Sequence, residues 1–136
     1  MVDFFMAAHL NEFAQYCCEL LSSAGPCVAR RMFGGYGISM DGLTLALLVD
    51  LGGGERLWLK ANQESRAVFE RAGCERFTYL VKGKPKSMNY YSAPEEAMDS
   101  SEAMASWARL SLEAAVEARM PTKVASKKPS RRGSAG

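Results

Sequence analysis

Apolar residues in the first part of the chain recur at steps of three and four. The series is Leu10, Phe13, Ala14, Cys17, Leu20, Leu21 and Ala24. This spacing places the side chains on one face of a helix. Gly25-Pro26 should end that helix, because proline disfavours helical geometry at the preceding residue and lacks a backbone N–H. The pattern therefore predicts an amphipathic first helix that buries one face.

From residue 28 to residue 60 the pattern changes to short apolar runs separated by glycines. The breaks are Gly34-Gly35, Asp41-Gly42 and Gly52-Gly53-Gly54. Asp41-Gly42 is a strong two-residue hairpin signal, since a type I′ turn requires positive φ at both central positions. After the last break, Leu57 and Leu59 share one face of a strand and Trp58 takes the other. We therefore predict an antiparallel meander of three or four strands.

A short second helix is predicted over residues 63–72. Asn62 is placed to cap its start, and Gly73 stands where a left-handed C-terminal cap belongs. A second hairpin follows over residues 77–91, with strands on either side of a basic loop at 82–86.

The last helix is predicted to begin near Asp99, which has capping-box spacing to Glu102, and to end before Pro121. The element order is then α–β(3–4)–α–β(2)–α. Helices and hairpins that do not alternate strictly favour an α+β fold, with helices packed on an antiparallel sheet.

Composition agrees with a globular protein, since 48% of the residues are hydrophobic and 24% are charged. No apolar stretch approaches the roughly 18 residues that span a bilayer, and no secretory signal pattern is recognisable. We expect one cytoplasmic domain over residues 1–120, with no membrane contact, and a disordered basic tail over residues 121–136. Residues 1–120 carry 12 basic and 15 acidic residues, a net charge of −3, whereas the tail carries five basic and no acidic residues, +5.

Residues that could carry catalysis or bind a cofactor are sparse. The four cysteines, Cys17, Cys18, Cys27 and Cys74, match no zinc or redox spacing, and His9 is the one histidine. The glycine-rich segment 34–37 leads into a strand instead of a helix N-terminus, so a tight bend with close backbone approach is favoured over a phosphate site. We expect no enzyme activity, no metal and no cofactor.

Two basic segments are candidates for nucleic-acid contact. In the second hairpin, cations interleave with aromatic residues, a mixture that suits phosphate contact and base stacking. Its candidate contacts are Arg76, Lys82, Lys84 and Lys86, and those of the tail are Lys127, Lys128, Arg131 and Arg132. The alternatives are a solvated hairpin tip with inward aromatics, and a solubilising tail without a partner. Candidate anchors for a protein interface are Trp58, Met88 and Tyr91.

Several short motifs follow one another along the chain in a recognisable order. They are RMFGGYGI at 31–38, DG at 41–42, LWLK at 57–60, FTY at 77–79, MNYY at 88–91 and WA at 107–108. Over about residues 10–118 this series resembles the N-terminal domain of the TfoX (Sxy) competence-regulator family. We expect no counterpart of that family's C-terminal helical domain, because only the basic tail follows.

The resemblance implies an α+β fold of the secretion-chaperone-like type, which often self-associates, so a homodimer is one expectation. Family members regulate competence genes and are thought to act with the cyclic-AMP receptor protein. The family motif contributes no catalytic residue. The resulting hypothesis is a non-enzymatic regulatory or adaptor domain that binds a protein of the transcription machinery. The alternative is a nucleic-acid binder that uses the tail and the 82–86 hairpin.

Overall fold

Six antiparallel strands form one sheet in a computed structural model that describes residues 12–32 and 34–119. The strands are β1 (Val28–Met32), β2 (Gly35–Met40), β3 (Leu43–Asp50), β4 (Glu55–Lys60), β5 (Arg76–Val81) and β6 (Lys84–Ser92). Their order in the sheet is β1-β2-β3-β4-β6-β5, so the first four strands form a meander and the second hairpin joins it through β6. The predicted α+β class is confirmed.

Within the described residues, three helices accompany the sheet: α1 over residues 12–20, α2 (Gln63–Arg71) and α3 (Ser101–Arg119). Short 3₁₀ turns lie at Ser22–Ala24 and Glu95–Asp99. Helix α3 packs against β3, β4 and both 3₁₀ turns, and a large apolar core fills the space between helices and sheet. Among its fully buried members are Leu20, Leu45, Leu59, Phe69, Tyr91 and Met104.

Local sequence signals fixed several element ends as predicted. Asp41 and Gly42 both have positive φ, 54° and 78°, as a type I′ hairpin turn requires. The Asn62 side chain accepts a hydrogen bond from the Ser65 backbone N–H, and the Ser65 hydroxyl accepts one from the Asn62 backbone N–H, each at 2.8 Å. Gly73 follows α2 with φ of 82°. These elements end where their own residues satisfy the backbone.

Three predicted ends are wrong. Helix α1 ends at residue 20 and a 3₁₀ turn follows at Ser22–Ala24, so the α-helix does not continue to Gly25-Pro26. The second hairpin turns on Lys82-Gly83 alone, with φ of 53° and 79°, so Lys84 and its successors belong to β6 instead of a five-residue loop. At α3, the Ser100 hydroxyl accepts a hydrogen bond from the Ala103 backbone N–H at 3.0 Å. Asp99 lies in the preceding 3₁₀ turn, so Ser100 caps the helix and Asp99 does not.

The second hairpin extends beyond the rest of the sheet. Strand β6 pairs with β4 only through Tyr90, Tyr91 and Ser92. Residues 78–88, which we call the arm, therefore form a two-stranded ribbon of β5 and β6 with no third described strand beside it. Pro85 fits there because it faces Leu80 one step from the turn, a position where an antiparallel pair makes no hydrogen bond.

Candidate interaction surface on the second face of the sheet

The glycine-rich segment at the start of β2 serves close packing of backbone and side chains. Gly34 turns the chain with φ of 77°. A Cβ on Gly35 would lie 1.9 Å from the Leu48 carbonyl oxygen, and one on Gly37 would lie 2.1 Å from the Met32 sulfur. The expected tight bend with close backbone approach is confirmed, and β2 continues as a strand to Met40.

A second apolar cluster lies on the sheet face opposite the helices. Its buried members are Leu47, Trp58, Phe77 and Tyr90, and Met32, Val49 and Met88 pack against them. Leu47 and Trp58 are cross-strand neighbours, and the Phe77 ring meets the Trp58 ring edge-on at 5.1 Å. The Trp58 indole N–H donates to the Val49 carbonyl oxygen at 3.4 Å. No residue of a described helix belongs to this cluster.

An apolar cleft opens on this face. It has a volume of about 380 Å³ and is lined by Leu47, Val49, Leu51, Phe77, Tyr79 and Met88. Strands β3 and β5 both contribute to it, although β4 and β6 separate them in the sheet. Side chains of β3 and β5 therefore reach the same cleft across the two strands that lie between them. We call this feature the β3–β5 cleft.

Cationic side chains lie beside the cleft or its neighbouring aromatic rings. The Arg56 guanidinium lies 4.9 Å from the Trp58 ring centroid and forms a 2.9 Å ion pair with Glu75. Lys86 and Lys84 stand opposite Tyr79 and Val81 across the arm. The charges of these exposed lysines make this side of the sheet electropositive, so it should attract anions.

Charge is segregated between the two layers of the fold. Over residues 12–119, the α and 3₁₀ helices carry ten acidic and four basic residues. The strands and connecting segments carry eight basic and four acidic residues. Residues 76–94 contain four basic residues and no acid. The helical layer is thus acidic and the sheet layer basic.

The predicted nucleic-acid contacts have different roles. Arg76 donates from Nε to the Met88 carbonyl oxygen at 3.1 Å and from its guanidinium to the Asn89 side chain at 2.8 Å, which ties β5 to β6. Lys82 forms the turn at the arm's tip, and the two remaining arm lysines are exposed on β6. The tail candidates, Lys127, Lys128, Arg131 and Arg132, and the predicted tail over 121–136 lie outside the described residues.

The predicted interface anchors are mostly interior. Trp58 is 2% exposed and Tyr91 is 0% exposed, so neither side chain offers surface to a partner in this fold. Tyr91 stacks on Phe69 at 5.3 Å, and its hydroxyl donates to the Glu70 carboxylate. Burial and that hydrogen bond raise the pKa of Tyr91. Met88 alone of the three lines the cleft.

Sequence reasoning missed most of the cleft. Its remaining residues are Leu47, Val49, Leu51, Phe77 and Tyr79. The sequence signal for this second buried face was the almost continuous apolar run of β3. A strand with one face in water would alternate apolar and polar residues. That run indicated burial on both sides of the sheet.

Burial keeps the described thiols protonated. It raises the pKa of Cys17 to about 12 and that of Cys27 to about 11, and it also raises the pKa of Cys18 and of Cys74. A protonated thiol is a poor nucleophile and a poor metal ligand. No three His, Cys, Asp or Glu residues within 12–32 and 34–119 are grouped to hold a metal ion. No helix in the described part is long and apolar enough to cross a membrane.

Comparison with known proteins agrees with the sequence motifs. The family model of the TfoX N-terminal domain matches residues 19–115, more than half of the chain. A related protein is the DNA transformation protein TfoX1 of Aliivibrio fischeri, 35% identical over 66 residues. That match covers 48% of this chain and 30% of the relative, so the chain spans well under half of that protein's length.

Proposed function

This chain belongs to the TfoX N-terminal domain family, and we propose that it is a non-enzymatic regulatory or adaptor domain. In this proposal it binds another protein and acts in transcriptional regulation of the competence type. The observation that carries the proposal is the apolar cleft on the second face of the sheet, beside an electropositive arm. Apolar patches left open on a folded domain are typical of interaction sites.

The residues around the cleft support binding over catalysis. Its lining consists of aliphatic and aromatic side chains, and Tyr79 supplies its one side-chain hydroxyl. Acid–base catalysis needs a titratable group with a shifted pKa held against the substrate. The shifted pKa values in the described fold belong to cysteines and to Tyr90 and Tyr91, each moved mainly by burial.

A deletion strain tests this function directly. In the organism that carries the gene, deletion should change the transcript levels of a limited gene set, and expression of the full chain should restore them. Cross-linking in the same cells should recover a defined protein partner with the complementing chain. The proposal is contradicted if transcripts and DNA uptake stay unchanged, or if the purified chain turns over a metabolite and captures no partner.

The arm favours a second candidate function, nucleic-acid binding. The major groove of B-DNA admits a two-stranded β-ribbon, and the arm is such a ribbon. Lys82, Lys84 and Lys86 lie on it, and no described acid forms an ion pair with them. The basic tail would add affinity without sequence preference.

Charge reversal separates the arm from the tail. In the full chain, Lys84→Glu with Lys86→Glu should weaken binding to a labelled duplex by about tenfold or more at about 150 mM salt, and should flatten the salt dependence. Lys82 is left unchanged because it forms the turn. The readout is fluorescence anisotropy across a salt series.

Two matched double reversals serve as controls. Arg71→Glu with Arg109→Glu makes the same charge change on the helical layer, and Lys127→Glu with Lys128→Glu makes it in the tail. If all three variants bind alike, the arm has no special part in DNA contact. If the wild-type chain does not bind the duplex, nucleic acid is removed as a candidate.

A further inference from the structure

The β3–β5 cleft has the form of a receptacle for a side chain. Leu47 and Phe77 are almost fully buried and form its floor, while Val49, Tyr79 and Met88 are partly exposed around them. A volume of about 380 Å³ with an apolar lining suits a large aliphatic or aromatic group. Filling it would remove apolar surface from water, which favours association.

The charged side chain at the cleft wall that has no described acidic partner is a lysine. Lys86 pairs across the strands with Tyr79, at the cleft wall. The Glu75 carboxylate is paired with Arg56. Asp50 stands between the lining residues Val49 and Leu51, so strand alternation places it away from the cleft, where its carboxylate accepts hydrogen bonds from the Gly52 and Gly54 N–H groups. An incoming segment with acidic residues beside its apolar anchor therefore meets complementary charge, and a basic segment meets repulsion.

The lining favours a protein over a nucleic acid. Four of the six lining residues are aliphatic or methionine: Leu47, Val49, Leu51 and Met88. A nucleobase placed among them would leave its polar edges without hydrogen-bond partners, which is unfavourable. An aliphatic or aromatic side chain has no such groups. Contact with phosphates needs only the lysines of the arm and no cleft.

From these features we infer that the β3–β5 cleft is the docking site for a large apolar side chain on an acidic segment of a partner protein. This inference rests on the proposed regulatory function and gives the chemistry of the partner that function requires. Anchoring through one buried apolar group with acidic flanks is a common way for a short segment to bind.

A peptide selection tests the site directly, because it needs no identified partner. A random dodecapeptide library displayed on phage is selected on the immobilised full chain. The enriched peptides should be acidic and should each contain Phe, Trp, Leu or Met. Tyr79→Ala with Met88→Ala, which truncates two walls of the cleft, should weaken the binding of synthetic copies by about tenfold or more.

The arm supplies matched controls. Leu80 is 71% exposed and lies on the opposite face of β5 from Tyr79, so Leu80→Ala should leave peptide affinity unchanged. Lys86→Glu should weaken acidic peptides several-fold, whereas Arg109→Glu on the helical layer should not. Circular dichroism of each variant confirms that the fold is retained.

Specific outcomes overturn the inference. They are the absence of enrichment, enrichment of basic or purely polar peptides, equal loss of peptide affinity with Leu80→Ala, competition by duplex DNA for the cleft, and occupation of the cleft by a second copy in a cross-linked dimer.

The double variant Tyr79→Ala with Met88→Ala is also expressed in the deletion strain. If it restores transcripts as well as wild type does, the regulatory function stands and the cleft is not its site. If wild type restores nothing, the function itself fails.

Discussion

Alanine in place of Gly35 is expected to lower the free energy of unfolding by about 3 kcal/mol or more. The new Cβ would lie 1.9 Å from the Leu48 carbonyl oxygen and 3.1 Å from its carbonyl carbon. Both are backbone atoms, so no side-chain rotation relieves the overlap, and β2 must move away from β3. Urea unfolding followed by circular dichroism measures the loss.

Two other glycines calibrate this result. Gly53 has no atom within 4 Å of an added Cβ and no left-handed φ, so Gly53→Ala should change stability by less than about 0.5 kcal/mol. Gly37→Ala should fall between the two, because the obstacle there is the Met32 side chain, which can move. Equal losses at Gly35 and Gly53 would show that the strands do not approach as closely as described.

The parts of the fold that could be predicted are those decided by neighbouring residues. Asp41-Gly42 determines a hairpin turn by its own backbone preference, and Asn62 caps α2 through a residue three positions away. Such signals act over a few residues, so they can be recognised in the sequence without knowledge of the fold. The wrong cap at Asp99 is an error of one residue. Ser100, the next residue, is an equally good capping residue, and it is the one that caps α3.

The parts that could not be predicted depend on distant pairing. Alternation correctly separated Trp58 from Leu57 and Leu59, which lie in different apolar clusters. It could not show that Phe77, about twenty residues later, packs over the Trp58 ring and buries it. The interface hypothesis for Trp58 and Tyr91 rested on residue type, and the burial of both is decided by strands and helices that meet only in the folded chain.

Charge behaves in the same way. The sequence shows a basic tail after a mildly acidic body, which is a property of position along the chain. The division of the body into an acidic helical layer and a basic sheet layer appears only once the elements are placed. The arm is the most basic part of the sheet layer, so the positive potential of that layer is strongest beside the cleft.

Alanine in place of Trp58 is expected to cost about 3–5 kcal/mol of stability, the range for a large aromatic residue removed from a packed core. The substitution removes the edge contact with Phe77, the stacking of Arg56 and the hydrogen bond to Val49. Since Phe77 rests on Trp58, the arm should also lose its fixed position. Thermal unfolding gives the stability loss, and backbone amide exchange in residues 78–88 reports the loosening of the arm.

Tyr79→Ala is the matched comparison, because Tyr79 is 38% exposed and lies outside the second cluster, although its ring centroid is 6.0 Å from that of Phe77. It should cost about 1 kcal/mol or less and leave amide exchange in the arm near the wild-type rate. The contrast decides whether the second cluster is a true core or a surface patch. If Trp58→Ala is as mild as Tyr79→Ala, the cluster does not hold the arm. The cleft would then have no fixed shape to present to a partner.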